Sequence, residues 1–273
     1  VTGSAALAAP SPYWQSPDGA IEVYHQDTLV ALSHLRRSGR KFKAIMMDPP
    51  YASGARTEAA KPASGAMLRG GRFADRPIEC DQMTTTGFIW LIRETVLACR
   101  DMLEDGGALF SFIDWRQWPN LVGALESCNL RINKMVVWNK GSMGLGNGFR
   151  CQHELIAFAS KGVPRVIAKD AADVIEVPDL LTAPREEPIH HPSPKPPELL
   201  ARLLRVVTER GDDVLDPFMG GGATLEACEA LGLRCVGIES IEEHCQTAVA
   251  RLGAVTKERA AEPVGPLFGG AHP

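Results

Sequence analysis

Four consecutive residues, Asp48-Pro-Pro-Tyr51, close the brief apolar run Lys43-Ala-Ile-Met-Met-Asp48. A run of that kind, stopped by prolines, predicts a buried parallel strand. Two prolines in series carry no N–H donor and hold the chain extended. The Asp48 carboxylate and the Pro49 carbonyl can then accept both hydrogens of one exocyclic amino group, with no donor from Pro50 competing. An aromatic amine is a poor nucleophile because its lone pair is delocalised into the ring. Holding its two hydrogens out of the ideal plane localises that pair toward an alkyl donor. Tyr51 adds a flat face for a base to stack on, worth roughly 1–3 kcal/mol. A plain Pro-Pro turn would account for the prolines but not for all four residues.

A second constellation lies far downstream. Asp216-Pro-Phe218-Met-Gly220-Gly-Gly222 leaves a short strand, Val214-Leu-Asp216, and enters a helix; Glu239 ends the next strand, 19 residues after Gly220. Glycines there let the backbone turn sharply and approach a ligand. An acidic residue at the following strand end is placed to hold the two ribose hydroxyls of a nucleoside. A dinucleotide fits poorly, because Leu225 stands where the third glycine of Gly-x-Gly-x-x-Gly belongs. Asp216 would also repel a pyrophosphate. A carboxylate at that point suits a cationic cofactor, and S-adenosylmethionine carries an ammonium and a sulfonium with no phosphate. The structural alternative is a helix start with an Asp turn and helpful glycines.

The elements that must position these residues alternate. Strands are expected at Ile21–His25, at Lys43–Asp48, Ala108–Ile113, Arg131–Asn139, Cys151–Ser160, Val214–Asp216 and Arg234–Ile238. Helices are expected at Thr28–Leu35, Phe88–Leu103 (stopped by Gly106-Gly107), Pro119–Cys128, from Pro197 to near Gly211, Ala223–Leu231 and Glu242–Leu252. Strands alternating with helices imply an α/β domain with a mostly parallel sheet covered on both faces. The pair 131–139 and 151–160 implies a late hairpin and an antiparallel strand at one end, with Gly141 to Gly148 as its tip. Residues 1–20 read as a loose tail, 21–252 as one catalytic domain and 253–273 as a C-terminal tail. Residues 52–86, poor in large apolar groups, read as a long mobile basic loop of the sort usually tied to function.

Composition bounds the class. The chain has 273 residues, 45% hydrophobic and 23% charged, which is ordinary globular composition. No stretch approaches the ~18 apolar residues of a membrane span, and the start resembles no signal peptide. Seven cysteines without a Cys-x-x-Cys pair point to a reducing compartment and to small buried hydrophobes rather than ligands; His190-His191 has no partner at zinc spacing. No metal is expected. The net charge of −4 hides an asymmetry: residues 36–76 hold ten basic and three acidic side chains, a local +7. Such a stretch is either a solvated basic face or a surface for an anionic partner, of which nucleic acid is the commonest.

Asp48-Pro-Pro-Tyr51 followed much later by Asp216-Pro-Phe-Met-Gly-Gly-Gly222 resembles the S-adenosylmethionine-dependent amino-methyltransferases of DNA, which act on adenine N6 or cytosine N4. The catalytic motif first and the cofactor loop last is similar to their circularly permuted beta class. Tyr24-His-Gln-Asp27 resembles the segment whose Asp contacts the cofactor adenine. His191-Pro-Ser193-Pro-Lys195-Pro resembles the stretch whose polar groups approach the methionine carboxylate. Gly106-Gly-Ala-Leu-Phe and Met135-Val-Val-Trp138-Asn-Lys140 match later strands of the class.

The resemblance implies a Rossmann-like methyltransferase fold with a seven-stranded sheet. It makes Asp48, Pro49, Pro50 and Tyr51 catalytic, and gives the cofactor to Asp27, Asp48, Ser193, Lys195, Asp216, Phe218, Gly220, Gly222 and Glu239. Arg56, Lys61, Arg69, Arg72 and Lys140 are the DNA-contact candidates. It further implies a double-stranded DNA partner with the target base flipped out, a homodimer, a restriction-endonuclease partner and a cytoplasmic, nucleoid-associated place. The chain departs from the pattern in two ways. Its loop reads Gly-Gly-Gly-Ala where many relatives have Gly-Ser-Gly-Thr, and its candidate target-recognition insertion spans only 161–190, which shifts recognition toward loop 52–86. Within the class, Asp at position 48 favours adenine N6 over cytosine N4. RNA or protein-amide methylation and non-catalytic nucleic-acid binding are the remaining alternatives.

Overall fold

The computed structural model describes residues 11–52, 83–143, 148–177 and 195–261. In chain order the elements are β1 (Trp14–Gln15), β2 (Ile21–His25), α1 (Thr28–Arg37), β3 (Phe42–Met47), α2 (Thr85–Met102), β4 (Leu103–Ile113), α3 (Trp118–Ser127), β5 (Arg131–Asn139), β6 (His153–Ser160), β7 (Val174–Glu176), α4 (Pro197–Arg205), β8 (Asp213–Asp216), α5 (Ala223–Leu231), β9 (Arg234–Glu239) and α6 (Glu242–Ala261). The strands form one sheet in the order β1-β2-β9-β8-β3-β4-β6-β5-β7.

Seven of these strands are the expected ones; two short strands extend the sheet to nine, one at each edge. The two and three residues of β1 and β7 are too few to carry a periodic signal. β1 pairs antiparallel with β2, Trp14 opposite Val23, so residues 11–20 are a hairpin arm where a loose tail was expected. Its turn is held by Ser16 Oγ donating to Asp18 Oδ1 at 2.6 Å and by the Ala20 N–H donating to the same carboxylate. β7 runs parallel to β5 within residues 161–190, the candidate insertion. The Trp138 indole, 1% exposed, donates to the Val177 carbonyl at 2.8 Å and anchors it.

The expected hairpin is present, but its antiparallel strand β6 is not at the sheet's end. It lies between β4 and β5, paired to both. Leu155 to Ser160 are buried without interruption, whereas β5 alternates with exposed positions. The more apolar strand takes the more central place, paired along its length on both sides, whereas β5 meets only three residues of β7 on its outer side. A second correction concerns Gly106-Gly107. α2 ends at Met102, and the glycines fall inside β4, in a bulge where the pairing jumps from Phe42–Leu103 to Ala44–Ala108. A β-carbon on Gly107 would lie 2.9 Å from the Glu104 carbonyl oxygen, so the bulge closes on glycine. α4 stops at Arg205, short of Gly211, and α6 runs on to Ala261, past the boundary expected at 252.

Side chains alternate across the sheet as the strand period requires. In β4, Leu109 and Ile113 face a core shared with α1, α2 and α3; Phe110 and Phe112 face one shared with α4, α5 and α6. Both faces of the central strands are thus covered, which explains why β3 is buried at all six positions. Among the described residues, no helix is long and apolar enough to cross a membrane.

Candidate active site

The parallel strands point their carboxyl ends to one edge. Ile45 of β3 pairs with Leu215 of β8, Asp216 of β8 with Gly237 of β9, and Glu239 of β9 with His25 of β2. Asp48, Asp216, Glu239 and Asp27 therefore gather at a single rim. β6 runs the other way, so its amino end, His153–Glu154, reaches the same rim beside Lys140 at the end of β5.

The bend after β8 is built from backbone. The Met219 N–H donates to the Ile238 carbonyl at 3.0 Å, and the Thr28 hydroxyl, buried at the start of α1, donates to the Pro217 carbonyl at 2.7 Å. Gly222 caps α5 with φ +82°, and a β-carbon there would come within 2.6 Å of Ala248 Cβ on α6. A β-carbon on Gly237 would lie 2.5 Å from Met219 Sδ. The loop can settle onto β9 and against α6 because both positions lack side chains.

Asp216 is buried. Burial pushes its carboxyl up to about 7; bonds from the Thr224 hydroxyl and from the Phe218 N–H oppose this, and the carboxylates of Asp48 and Glu239 add to it. The two distant motifs therefore feel each other. Glu239 behaves differently. Burial raises it, but His244, at 3.7 Å, and the Ile241 N–H, at 2.8 Å, together hold it below the usual carboxylate range. Asp27 is the N-cap of α1, its Oδ1 accepting from the Val30 N–H at 3.1 Å. Phe218 packs half-buried on the α1–α3 core.

Around Asp48 the environment is cationic as well as acidic. Lys195 Nζ donates to Asp48 Oδ2 at 2.7 Å and lies 3.5 Å from Glu154 Oε2. The Tyr51 hydroxyl donates to Asp48 Oδ1 at 2.7 Å and is 3.1 Å from Glu154 Oε2. Lys140 Nζ reaches Glu154 Oε1 at 2.5 Å and sits 4.6 Å from the centre of the Trp138 ring. The Lys195 ammonium stands 5.4 Å from the ring centres of both Tyr51 and Phe112. Burial and then the two carboxylates hold the Tyr51 hydroxyl well above its ordinary range, so it stays a neutral donor.

The expected site residues thus fall into three groups. Asp48, Tyr51, Asp216, Phe218, Gly220, Gly222, Glu239 and Asp27 share the rim. Lys195 is there too, bonded to Asp48. Lys140, a DNA-contact candidate, turns its ammonium inward to Glu154. Arg56, Lys61, Arg69, Arg72 and Ser193 lie outside the described residues. Sequence reasoning missed Glu154 altogether. Its one available signal is a carboxylate near the head of a strand that is otherwise apolar up to Ser160.

The donor set fits S-adenosylmethionine. The carboxylates of Asp48 and Glu239 act on that of Asp216, and the hydrogen-bond partners of buried Asp216 are an N–H and a hydroxyl rather than a cation. A positively charged ligand answers that arrangement, and a pyrophosphate does not. Among the described residues no group of three or more His, Cys, Asp or Glu could hold a metal ion.

Comparison with known proteins agrees. YubD of Escherichia coli (strain K12), a protein named as a methylase, is 27% identical over 222 residues, covering 80% of this chain and 85% of YubD. The M1.HpyAVI–SAM complex superposes with a TM-score of 0.60 at 22% identity, covering 85% of this chain and 99% of that one. The cytosine-N4-specific PvuII DNA methyltransferase superposes with a TM-score of 0.65 at 13% identity, covering 88% of each chain. Residues 42–250 match the family profile described as DNA methylase of the N6/N4 type. A carboxylate rim suited to a sulfonium donor, on a sheet shared with solved methyltransferases, is accounted for by that match: the chain belongs to the N6/N4 DNA methylase family, the S-adenosylmethionine-dependent amino-methyltransferases of DNA.

Proposed function

We propose that the chain methylates the N6 amino group of an adenine rotated out of duplex DNA. The observation that carries this reading is the meeting of Asp48-Pro-Pro-Tyr51 with Asp216 at one rim, close enough for the Asp48 carboxylate to perturb Asp216. The Asp48 carboxylate and the Pro49 carbonyl accept the two amine hydrogens, Pro50 keeps the turn extended, and the Tyr51 ring stacks on the base. Asp27, Ser193, Lys195, Phe218, Gly220, Gly222 and Glu239 hold the cofactor with Asp216. When bound, S-adenosylmethionine supplies a methyl on a sulfonium: the amine lone pair forms the N–C bond, the C–S pair stays on sulfur, and the nitrogen releases one proton. Asp48, already accepting a hydrogen from that nitrogen, is the acceptor in place.

A base inside a duplex cannot reach such a rim, so extrusion costs a few kcal/mol. Phosphate contacts offset part of it and weaken with salt; within the basic stretch 36–76 they do not come from Arg36, Arg40 or Lys43, which lie at the amino end of β3, away from the rim, Arg36 paired with Asp101, Arg40 with Glu22 and Lys43 buried. No covalent intermediate is needed, and the work is positioning and electrostatics. The likeness to an N4-cytosine enzyme makes cytosine the second reading; Asp at position 48 favours adenine. The same reading extends to a homodimer and a restriction-endonuclease partner.

The test is chemical. Labelled S-adenosylmethionine is incubated with unmethylated plasmid, and the DNA is digested to nucleosides. N6-methyladenine is expected. N4-methylcytosine would replace the first reading with the second, and label in RNA or protein but not DNA would end both.

A further inference from the structure

The tip of β4 lies within the rim, flanked by both parts of the Asp48 cluster. β4 pairs with β3 on one side and with β6 on the other, so its last residue, Ile113, ends between the tip of β3 and the head of β6, where Leu155 is its partner. Asp114, Trp115 and Arg116 follow directly. Trp115 is 57% exposed, although a tryptophan side chain commonly buries roughly 150–250 Å². The exposed ring is nonetheless held. The Asp114 carboxylate accepts from the Gln117 N–H at 2.9 Å and from the Arg116 guanidinium at 3.3 Å. Gln117 is itself buried and accepts from the Asn120 amide at 2.8 Å. The guanidinium carbon of Arg116 lies 5.3 Å from the centre of the Trp115 ring. A tight turn therefore presents an indole with a guanidinium over its face.

An aromatic face and a guanidinium fork suit, respectively, the face of a base and a phosphate. The Arg116–Asp114 pair is open to solvent on the arginine side, 60% exposed. Ion pairs of that kind contribute little, so a phosphate can take the place of the carboxylate at small cost. Position decides the occupant. On the reading above, on which this inference rests, the target base comes to Asp48. A protein seated on Trp115 would cover the rim beside Asp48, whereas a DNA strand lying there brings the base to it. We propose that Trp115 and Arg116 form a DNA-docking contact, with the indole stacking on a nucleotide beside the target and the guanidinium meeting the adjoining phosphate. Neither residue is among the DNA-contact candidates named from the sequence.

The test is DNA binding by the full chain, read as the fluorescence anisotropy of a labelled duplex fragment of the unmethylated plasmid. Trp115→Ala should weaken binding roughly tenfold, the scale of one lost base–aromatic stack, while Trp115→Phe, which keeps a ring, should stay within about threefold of the parent. Arg116→Gln should lower the slope of log affinity against log salt by about one. Calorimetry with S-adenosylmethionine should return the parent's affinity in each variant, because the cofactor half of the rim is untouched. DNA binding as tight as the parent's in Trp115→Ala, an unaltered salt slope in Arg116→Gln, or a parent chain that does not bind the duplex overturns the proposal. So does a loss of cofactor affinity that matches the loss of DNA affinity, which marks a structural role. A parent that sediments as a dimer where Trp115→Ala is a monomer overturns it too, giving the face to a second copy. The anisotropy needs no methyl transfer, so N4-methylcytosine as the plasmid product, or no product, would remove the adenine reading and leave this result standing.

Discussion

Two halves of one rim are built on opposite electrostatic plans. At the tips of β8, β9 and β2, Asp216 and Glu239 are held by N–H groups, a hydroxyl and an imidazole, with no lysine or arginine among the contacts that shift them. At the tips of β3, β5 and β6, Asp48 and Glu154 are matched by Lys195 and Lys140. Among the described residues, Arg251 reaches the loop's Gly221 carbonyl but does not pair with these carboxylates, which suits a cationic ligand. The second half pairs its carboxylates with ammoniums, which suits the uncharged base proposed for it. On the proposed function, the contrast lets a single cleft take a charged donor and a neutral acceptor side by side. The low dielectric that strains an unpaired carboxylate also strengthens the paired set next to it.

The sharpest way to break this contrast is to damage each half alone. Asp48→Ala should lower methyl transfer by roughly 10²–10³-fold or more, the scale of losing a positioned group at the reacting centre. S-adenosylmethionine binding measured by calorimetry should largely survive. Full activity in that variant would refute the division of labour. Gly222→Ala acts on the other half. It places a β-carbon 2.6 Å from Ala248 Cβ at φ +82°, which should cost roughly 2–4 kcal/mol of overpacking and backbone strain. The loss should show as a lower midpoint in urea and as weaker cofactor binding.

Protonation sharpens the comparison further. The Asp216 carboxyl sits at about 7 in the folded protein against an ordinary value of 3.8. A raised carboxyl favours the folded state while it is protonated. Its contribution is whole below about 4 and is lost as pH climbs through about 7. The ligand-free protein should therefore lose stability across that window as Asp216 is forced to ionise. Cofactor affinity should move the opposite way, tightening about tenfold between pH 6 and pH 8 as the anionic form becomes populated. Asp216→Asn should flatten both profiles, with melting curves and calorimetry as the readouts. The smallest expected effect is that of Asp27→Ala, which removes the N-cap of α1 and should cost about 1 kcal/mol in thermal unfolding, with transfer at saturating cofactor unchanged.

Much of this was readable from the chain. The six helices and seven of the strands follow from apolar periodicity and from glycine and proline stops, because long buried runs impose their period on the sequence. Asp48, Asp216 and Glu239 were legible because each ends such a run, and strand ends are where a parallel sheet exposes chemistry. Glu154 was not legible for the converse reason. It lies near the start of a strand, and only the reversed direction of β6 carries it to the carboxyl rim. Lys140 is expected from the sequence as a DNA contact and Lys195 as a cofactor contact; their pairing with Glu154 and Asp48 is visible only in the fold. A charged side chain near a loop says nothing of which way it turns until the neighbouring carboxylates are in place.

The order of elements, the two motifs and their chemical types were thus fixed locally, by residue pattern and backbone preference acting over a few positions. The placement of β6 inside the sheet, the pairing of β1 and β7 along its edges and the ion pairing of Asp48 were decided only in three dimensions. Each depends on contacts between residues far apart in sequence. Burial selects among the arrangements a local pattern allows, and the electrostatics of a site follow from which charges that burial brings together.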